Sequence, residues 1–124
     1  MDIEFYRMVD GHYLDAPNAI RTVKLYPGDK TGERSTLSSV LIGDVNGDKR
    51  ADLLVQHAPQ ELHVFMGVSG PDVFTQEPKK IAVATPFDER HTWLVNLNRD
   101  AKQDVLMYHP STTEPHRVTL LVAR

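Results

Sequence analysis

The feature that most narrows the folds open to this chain is an acidic nonapeptide that occurs twice. Asp44-Val-Asn-Gly-Asp-Lys-Arg-Ala-Asp52, followed by Leu-Leu-Val, returns as Asn96-Leu-Asn-Arg-Asp-Ala-Lys-Gln-Asp104, followed by Val-Leu-Met. A fixed offset of 52 residues is the mark of a duplicated supersecondary unit. A second echo relates Ile3-Glu-Phe-Tyr, Asp10-Gly11 and Tyr13 to Leu62-His-Val-Phe, Ser69-Gly70 and Phe74.

Between and around these echoes the apolar residues fall into nine short β-prone runs: 3–8, 20–26, 38–42, 52–56, 62–66, 80–84, 93–97, 104–108 and 118–123. Turn formers such as Pro27-Gly28-Asp29, Asn46-Gly47-Asp48 and Ser69-Gly70-Pro71 separate them, and no segment carries a helical period. Calling the run before an acidic loop A and the three after it B, C and D, the chain reads C, D, then A, B, C, D, then A, B, C. The expected fold is all-β: a partial β-propeller of four-stranded antiparallel blades. Residues 36–84 would form one complete blade, 1–35 the end of another and 85–124 a partial third. Propellers close with about four to eight blades, so this length cannot close a ring alone. The expectation is a segment or tail of a larger propeller, or a chain that completes a ring by self-association. The first is preferred because Met1 is followed at once by a mid-blade strand.

Composition removes other classes. At 124 residues the chain suits one continuous core, and its net charge of −3 argues against nucleic acid as a partner. No apolar stretch is long enough for a membrane span, and Met-Asp-Ile-Glu-Phe-Tyr-Arg is not the start of an export signal, so no membrane insertion is expected. The absence of cysteine excludes disulfides, zinc-thiolate sites and thiol nucleophiles.

Oxygen-bearing side chains stand at positions 1, 3, 5 and 9 of the first loop: Asp44, Asn46, Asp48 and Asp52. Position 7, Arg50, offers only its backbone carbonyl. Alternate residues of a tight loop can face a common centre, and three crowded carboxylates favour a cation, so calcium is the expected ligand. An EF-hand would need glycine where Lys49 stands, a glutamate where Val55 stands, and flanking helices, and is rejected. A plainer reading is open for both loops: Asx-rich turns that staple strands A and B through side-chain to backbone hydrogen bonds.

These residues resemble the calcium loop of FG-GAP/VCBS repeats, the blades of integrin alpha-subunit propellers and of many bacterial exported proteins. Phe65-Met-Gly-Val-Ser-Gly-Pro-Asp-Val-Phe74 is similar to the hairpin of that family, so the likeness covers most of the chain. It implies calcium ligation by Asp44, Asn46, Asp48, the Arg50 carbonyl and Asp52. In the second loop it implies Asn96, Asn98, Asp100, the Lys102 carbonyl and Asp104. The second site should be weak or empty, because Asn96 replaces a carboxylate and Arg99 and Ala101 stand at positions that favour glycine.

The resemblance also implies a non-enzymatic adhesion or ligand-binding scaffold with a protein or glycan partner, facing the extracellular or periplasmic space. The alternatives are an accessory domain of an exported hydrolase or lyase, and a lectin. Period-two spacing puts Glu61 and His63 on one strand face, and with His57 at the preceding turn this raises a second metal possibility against the plainer reading of a surface pair; Glu114-x-His116 looks like its duplicate. No Gly-x-Ser-x-Gly elbow or phosphate loop occurs, and Trp93 is expected in packing.

Overall fold

The computed structural model describes residues 2–22, 40–86 and 88–124. All regular structure in them is β apart from one 3-10 turn at Glu89–His91. The strands are β1 (Asp2–Phe5), β2 (Met8–Val9), β3 (His12–Tyr13), β4 (Ala19–Thr22), β5 (Val40–Gly43), β6 (Asp52–Ala58), β7 (Glu61–Phe65), β8 (Lys79–Ala82), β9 (Thr92–Val95), β10 (Asp104–His109) and β11 (Arg117–Leu121). All nine expected runs are represented. The remainder of the runs at 20–26 and 38–42, and the Pro27-Gly28-Asp29 turn between them, lie outside the described residues.

The two strands beyond the expected nine, β2 and β3, form a minimal hairpin pairing Val9 with His12. Asp10 and Gly11 carry φ of 49° and 80°, the left-handed pair that a two-residue turn of this kind requires.

Pairing follows the expected order. β1 and β4 form one antiparallel sheet, β5-β6-β7-β8 a four-stranded meander, and β9-β10-β11 a three-stranded meander. None of these sheets closes on itself.

The central strand β6 opens Asp-Leu-Leu-Val with four consecutive buried residues, so it is covered on both faces. On one face Leu53, Val55 and Phe65 join Phe74, and Ile3 and Phe5 of β1 pack against them. On the other, Leu54, Leu62 and Val64 meet Val105 and Met107 of β10, with Leu94 and Leu121 beside them. The middle sheet is therefore sandwiched between its neighbours, and apolar burial of this extent is the main favourable term holding the three units together.

Register makes the two interfaces equivalent. Leu54 lies between Leu41 and Val64 in the middle sheet as Leu106 lies between Trp93 and Leu120 in the last. Val105 and Met107 are thus the counterparts of Leu53 and Val55. In the first sheet Ile3 and Phe5 match Leu62 and Val64, the same pairs that the sequence echo joins. At both junctions the Leu62/Val64 type of face stacks on the Leu53/Val55 type of the next unit.

In the last sheet the equivalent face lies bare. Trp93, Val118, Leu120 and Val122 are 42%, 55%, 48% and 46% exposed, where Leu62 and Val64 of the middle sheet are 2% and 4%. Trp93, expected in packing, stands on this open face.

Candidate functional site

The acidic loops sit at one end of the stack, joining β5 to β6 and β9 to β10. Asp44 carries the turn of the first. Its Oδ1 accepts N–H bonds from Asn46 (3.2 Å) and Gly47 (2.6 Å), and its Oδ2 accepts one from Lys49 (2.8 Å). Asn46 Oδ1 accepts from the Asp48 amide, and Asp48 Oδ1 from the Arg50 amide, both at 2.8 Å. Those N–H donors, the Arg50 amide first and the Asn46 side chain next, hold the Asp48 carboxyl below its usual range. Gly47 and Lys49 have φ of 83° and 66°, so the non-glycine residue at position 6 does occupy the left-handed region.

Asp52, the ninth position, is fully buried. Its Oδ2 accepts the Val45 amide at 2.9 Å and its Oδ1 the Gly67 amide at 2.7 Å. It joins the start of its own loop to the chain leaving β7. Asp104 repeats the device, accepting from Leu97 (2.8 Å) and from Ala123 beyond β11 (2.9 Å), and is equally buried. Spacing made Asp52 a ligand candidate and the family resemblance added Asp104; their part in closing the sheet end has no separate sequence signal.

The second loop is looser at its first position. Asn96 donates its side-chain amide to the Asp100 carbonyl (2.6 Å) and gathers no N–H cradle like that of Asp44. Asn98 and Asp100 pair as Asn46 and Asp48 do, and Lys102 donates its amide to Asp100 Oδ1. Arg99, opposite Gly47 in the alignment, takes φ of 62°. The side-chain to backbone bonds of Asx turns are thus present in both loops.

The first loop holds two carboxylates, an amide oxygen and the Arg50 carbonyl within one turn, but Asp44, Asp48 and Asp52 are not among the acidic and histidine side chains whose ligand atoms converge in the described residues. Asp44 Oδ2 and Asp48 Oδ1 each accept one N–H and retain a second lone pair, whereas Asp44 Oδ1 and Asp48 Oδ2 each take two donors. Asp52 is the member whose two oxygens already close the sheet end.

The two loops touch. Gln103 donates its amide to the Asp44 carbonyl at 2.7 Å, and its Oε1 accepts the Asp44 amide at 3.1 Å. The Lys102 stem lies against Gly47. Gln103 therefore bridges the two loops, a role that no motif signalled.

At the same end, an open groove of about 760 Å³ runs between the first and middle units. Glu4, Tyr6, Arg7 and Asn18 supply its polar wall, and Gly70, Pro71 and Val73 its other side. The Tyr6 hydroxyl donates to Glu4 Oε2 at 2.7 Å, which raises the phenol's pKa. Val73 has φ of 61°, a strained conformation for a β-branched residue.

At the opposite end of β6 and β7, Glu61 and His63 share a face as their spacing implied; with His57, expected at the preceding turn but standing inside β6, they form a His/Glu/His group. Among the described residues it is the grouping of His, Asp and Glu side chains whose ligand atoms converge, all within 4.8 Å. The duplicate expected at Glu114 and His116 is not its counterpart. Pairing of Val55 with His63 and of Met107 with Thr119 puts Thr119 where His63 stands, and Arg117 where Glu61 stands. The B–C connection is longer in the last unit, which shifts the register after it.

No family model, curated protein or solved structure matches the chain.

Proposed function

We propose that the chain is a non-enzymatic, calcium-binding β-propeller segment of FG-GAP/VCBS type that acts as a ligand-binding scaffold. The observation that carries this reading is the repeated use of one sheet face: it packs on the next unit at both junctions, half-buried at Ile3 and Phe5 and buried at Leu62 and Val64, and is bare in the last sheet, where Trp93, Val118 and Leu120 await a further unit of the same kind. Stacking units that bury each other's faces need neighbours on both sides.

In this reading Asp44, Asn46, Asp48 and the Arg50 carbonyl hold calcium in the first loop, and Asp52 fixes the loop to β7. When bound, the ion supplies positive charge that offsets the repulsion of Asp44 and Asp48 and orders the loop. The second loop, with Asn96, Asn98, Asp100 and the Lys102 carbonyl, is the weaker site, and Asp104 fixes it to the chain beyond β11 as Asp52 fixes the first. The groove of Glu4, Tyr6, Arg7 and Asn18 is the recognition surface, because several polar groups converge on one open concavity between two units. A protein or glycan ligand suits it, in an adhesion role in the extracellular or periplasmic space.

Light scattering on the chain and on its Leu120→Glu variant tests the proposal. Association of the native chain that the glutamate abolishes supports it. Equal monomer mass for both across the accessible concentrations removes the stacking role of that face.

A further inference from the structure

The end of the middle sheet remote from the acidic loops carries three side chains with ligand atoms within 4.8 Å of one another. Their placement has a local cause. β6 pairs Gln56 with Leu62 and Ala58 with Glu61, a bulge that leaves His57 as the extra residue. Such a bulge re-aims a side chain at a strand end. Here it brings His57 over His63, the two rings stacked with centroids 4.3 Å apart and planes 11° from parallel. His63 is 7% exposed, and its Nε2 is in contact with Glu61 Oε1.

We propose that His57, Glu61 and His63 form a binding site for a divalent transition-metal ion of the zinc class, with its remaining position open to water or an external ligand. Two imidazoles and one carboxylate are a borderline-soft donor set suited to zinc and unsuited to calcium. Zinc–ligand bonds of about 2.0–2.2 Å put tetrahedral neighbours roughly 3.3 Å apart. The widest separation therefore closes by about 1.5 Å on binding, while Glu61 Oε1 and His63 Nε2, already in contact, move apart to admit the ion. Parallel rings direct their lone pairs in parallel, so one ring must turn about its Cβ–Cγ bond, a broad and soft torsion. His57, half-buried on the bulge, is the ring that turns; His63, held in the sheet, is the fixed one. Glu61, with its side chain 35% exposed, leaves the solvent side open. Lys80 Nζ lies 3.9 Å from Glu61 Oε1 and competes with the ion for that carboxylate.

The chain contains its own control. In the last sheet His109 corresponds to His57, but Thr119 and Arg117 replace the other two ligands. That position has one imidazole and a guanidinium, and no site.

The test is calorimetric titration of the full chain at neutral pH with zinc alone and with calcium alone, paired with cobalt(II) absorption to read ligand type. The expected result is one zinc per chain, weakened at least about tenfold in His57→Gln and in Glu61→Gln, unchanged in His109→Gln, and strengthened in Lys80→Gln. Melting curves establish that each variant is folded, and Glu61→Gln, on a partly exposed side chain, keeps the test open should His57→Gln unfold. Absence of zinc binding, or zinc binding that both ligand variants leave intact, overturns the proposal. Calcium binding that survives the same variants belongs to the acidic loop and leaves this site to be judged on zinc alone.

Discussion

Gln103 takes both backbone bonds of Asp44: its amide donates to the Asp44 carbonyl and its side-chain oxygen accepts the Asp44 N–H. The last residue before β10 thereby fixes the first residue of the other acidic loop. Two loops in different sheets become one structural end, and a change in either is transmitted to the other through this pair.

The closeness of that approach depends on Gly43. A β-carbon there would stand 1.9 Å from Gln103 Oε1 and 2.6 Å from Leu94 Cδ1. Gly43→Ala is expected to cost about 1–3 kcal/mol, the range for overpacking a fitted interface. Urea unfolding checks it; an unchanged midpoint with an unchanged slope would show that the loops do not meet this tightly in solution.

Buried Asp52 and Asp104 should behave as a matched pair. Removing either carboxylate strands two amides, and Asp52→Ala is expected to lose about 2–4 kcal/mol, with Asp104→Ala close behind. Asp44→Ala should lose less, near 1 kcal/mol, because the amides it holds are largely exposed and can turn to water. Thermal melts of the three variants, read without added metal, give this order.

Calcium should raise the melting temperature by roughly 5 °C or more at saturating concentration. Asp44→Asn should remove most of that rise and Asp100→Asn little of it. In Lys49→Gly the left-handed φ of 66° carries no β-carbon penalty, so that variant should bind calcium at least as tightly as the native chain. Equal melting curves with calcium and with chelator would withdraw the ion from the first loop.

His109 gives the pH dependence. Desolvation, and secondarily the charge of Arg117, hold its pKa below the ordinary histidine value. The sign follows from linkage: the folded state disfavours the protonated ring, so this contribution is intact above the unfolded pKa and is lost as pH falls from there toward the folded value. An NMR titration should show His109 deprotonating below the ordinary histidine range, and Arg117→Gln should recover only the smaller part of the difference.

Much of this architecture was legible in the chain because the duplicated loop fixes what lies on either side of it. Turn residues bounded the β-prone runs, and the A, B, C, D order followed from the offset between echoes. The hairpin of β2 and β3 was visible only as Asp10-Gly11, since two-residue strands leave no alternation to read. Which face stacks on which was hidden, because Leu53, Leu54 and Val55 are apolar without a period when both faces are covered. Spacing identified Asp52 as a potential ligand and was silent on its two amide partners, which come from Val45 and from Gly67 in the next hairpin. Alternation put Glu61 and His63 on one face and left His57 at the preceding turn; its place inside β6, on a bulge, depends on pairing. The mirrored Glu114 and His116 misled because sequence offset and strand register part company after the longer turn.

The central claim is that the Leu62/Val64 face of one sheet is pressed against the Val105/Met107 face of the next, and a double-mutant cycle measures it most directly. Val64→Ala and Val105→Ala, alone and together, should show a coupling of at least about 0.5 kcal/mol in urea unfolding, while Val64→Ala paired with a change at Leu53 on the opposite face should show a smaller one. Additivity of Val64 and Val105 to within about 0.3 kcal/mol would contradict the stacked arrangement and, with it, the scaffold drawn from it.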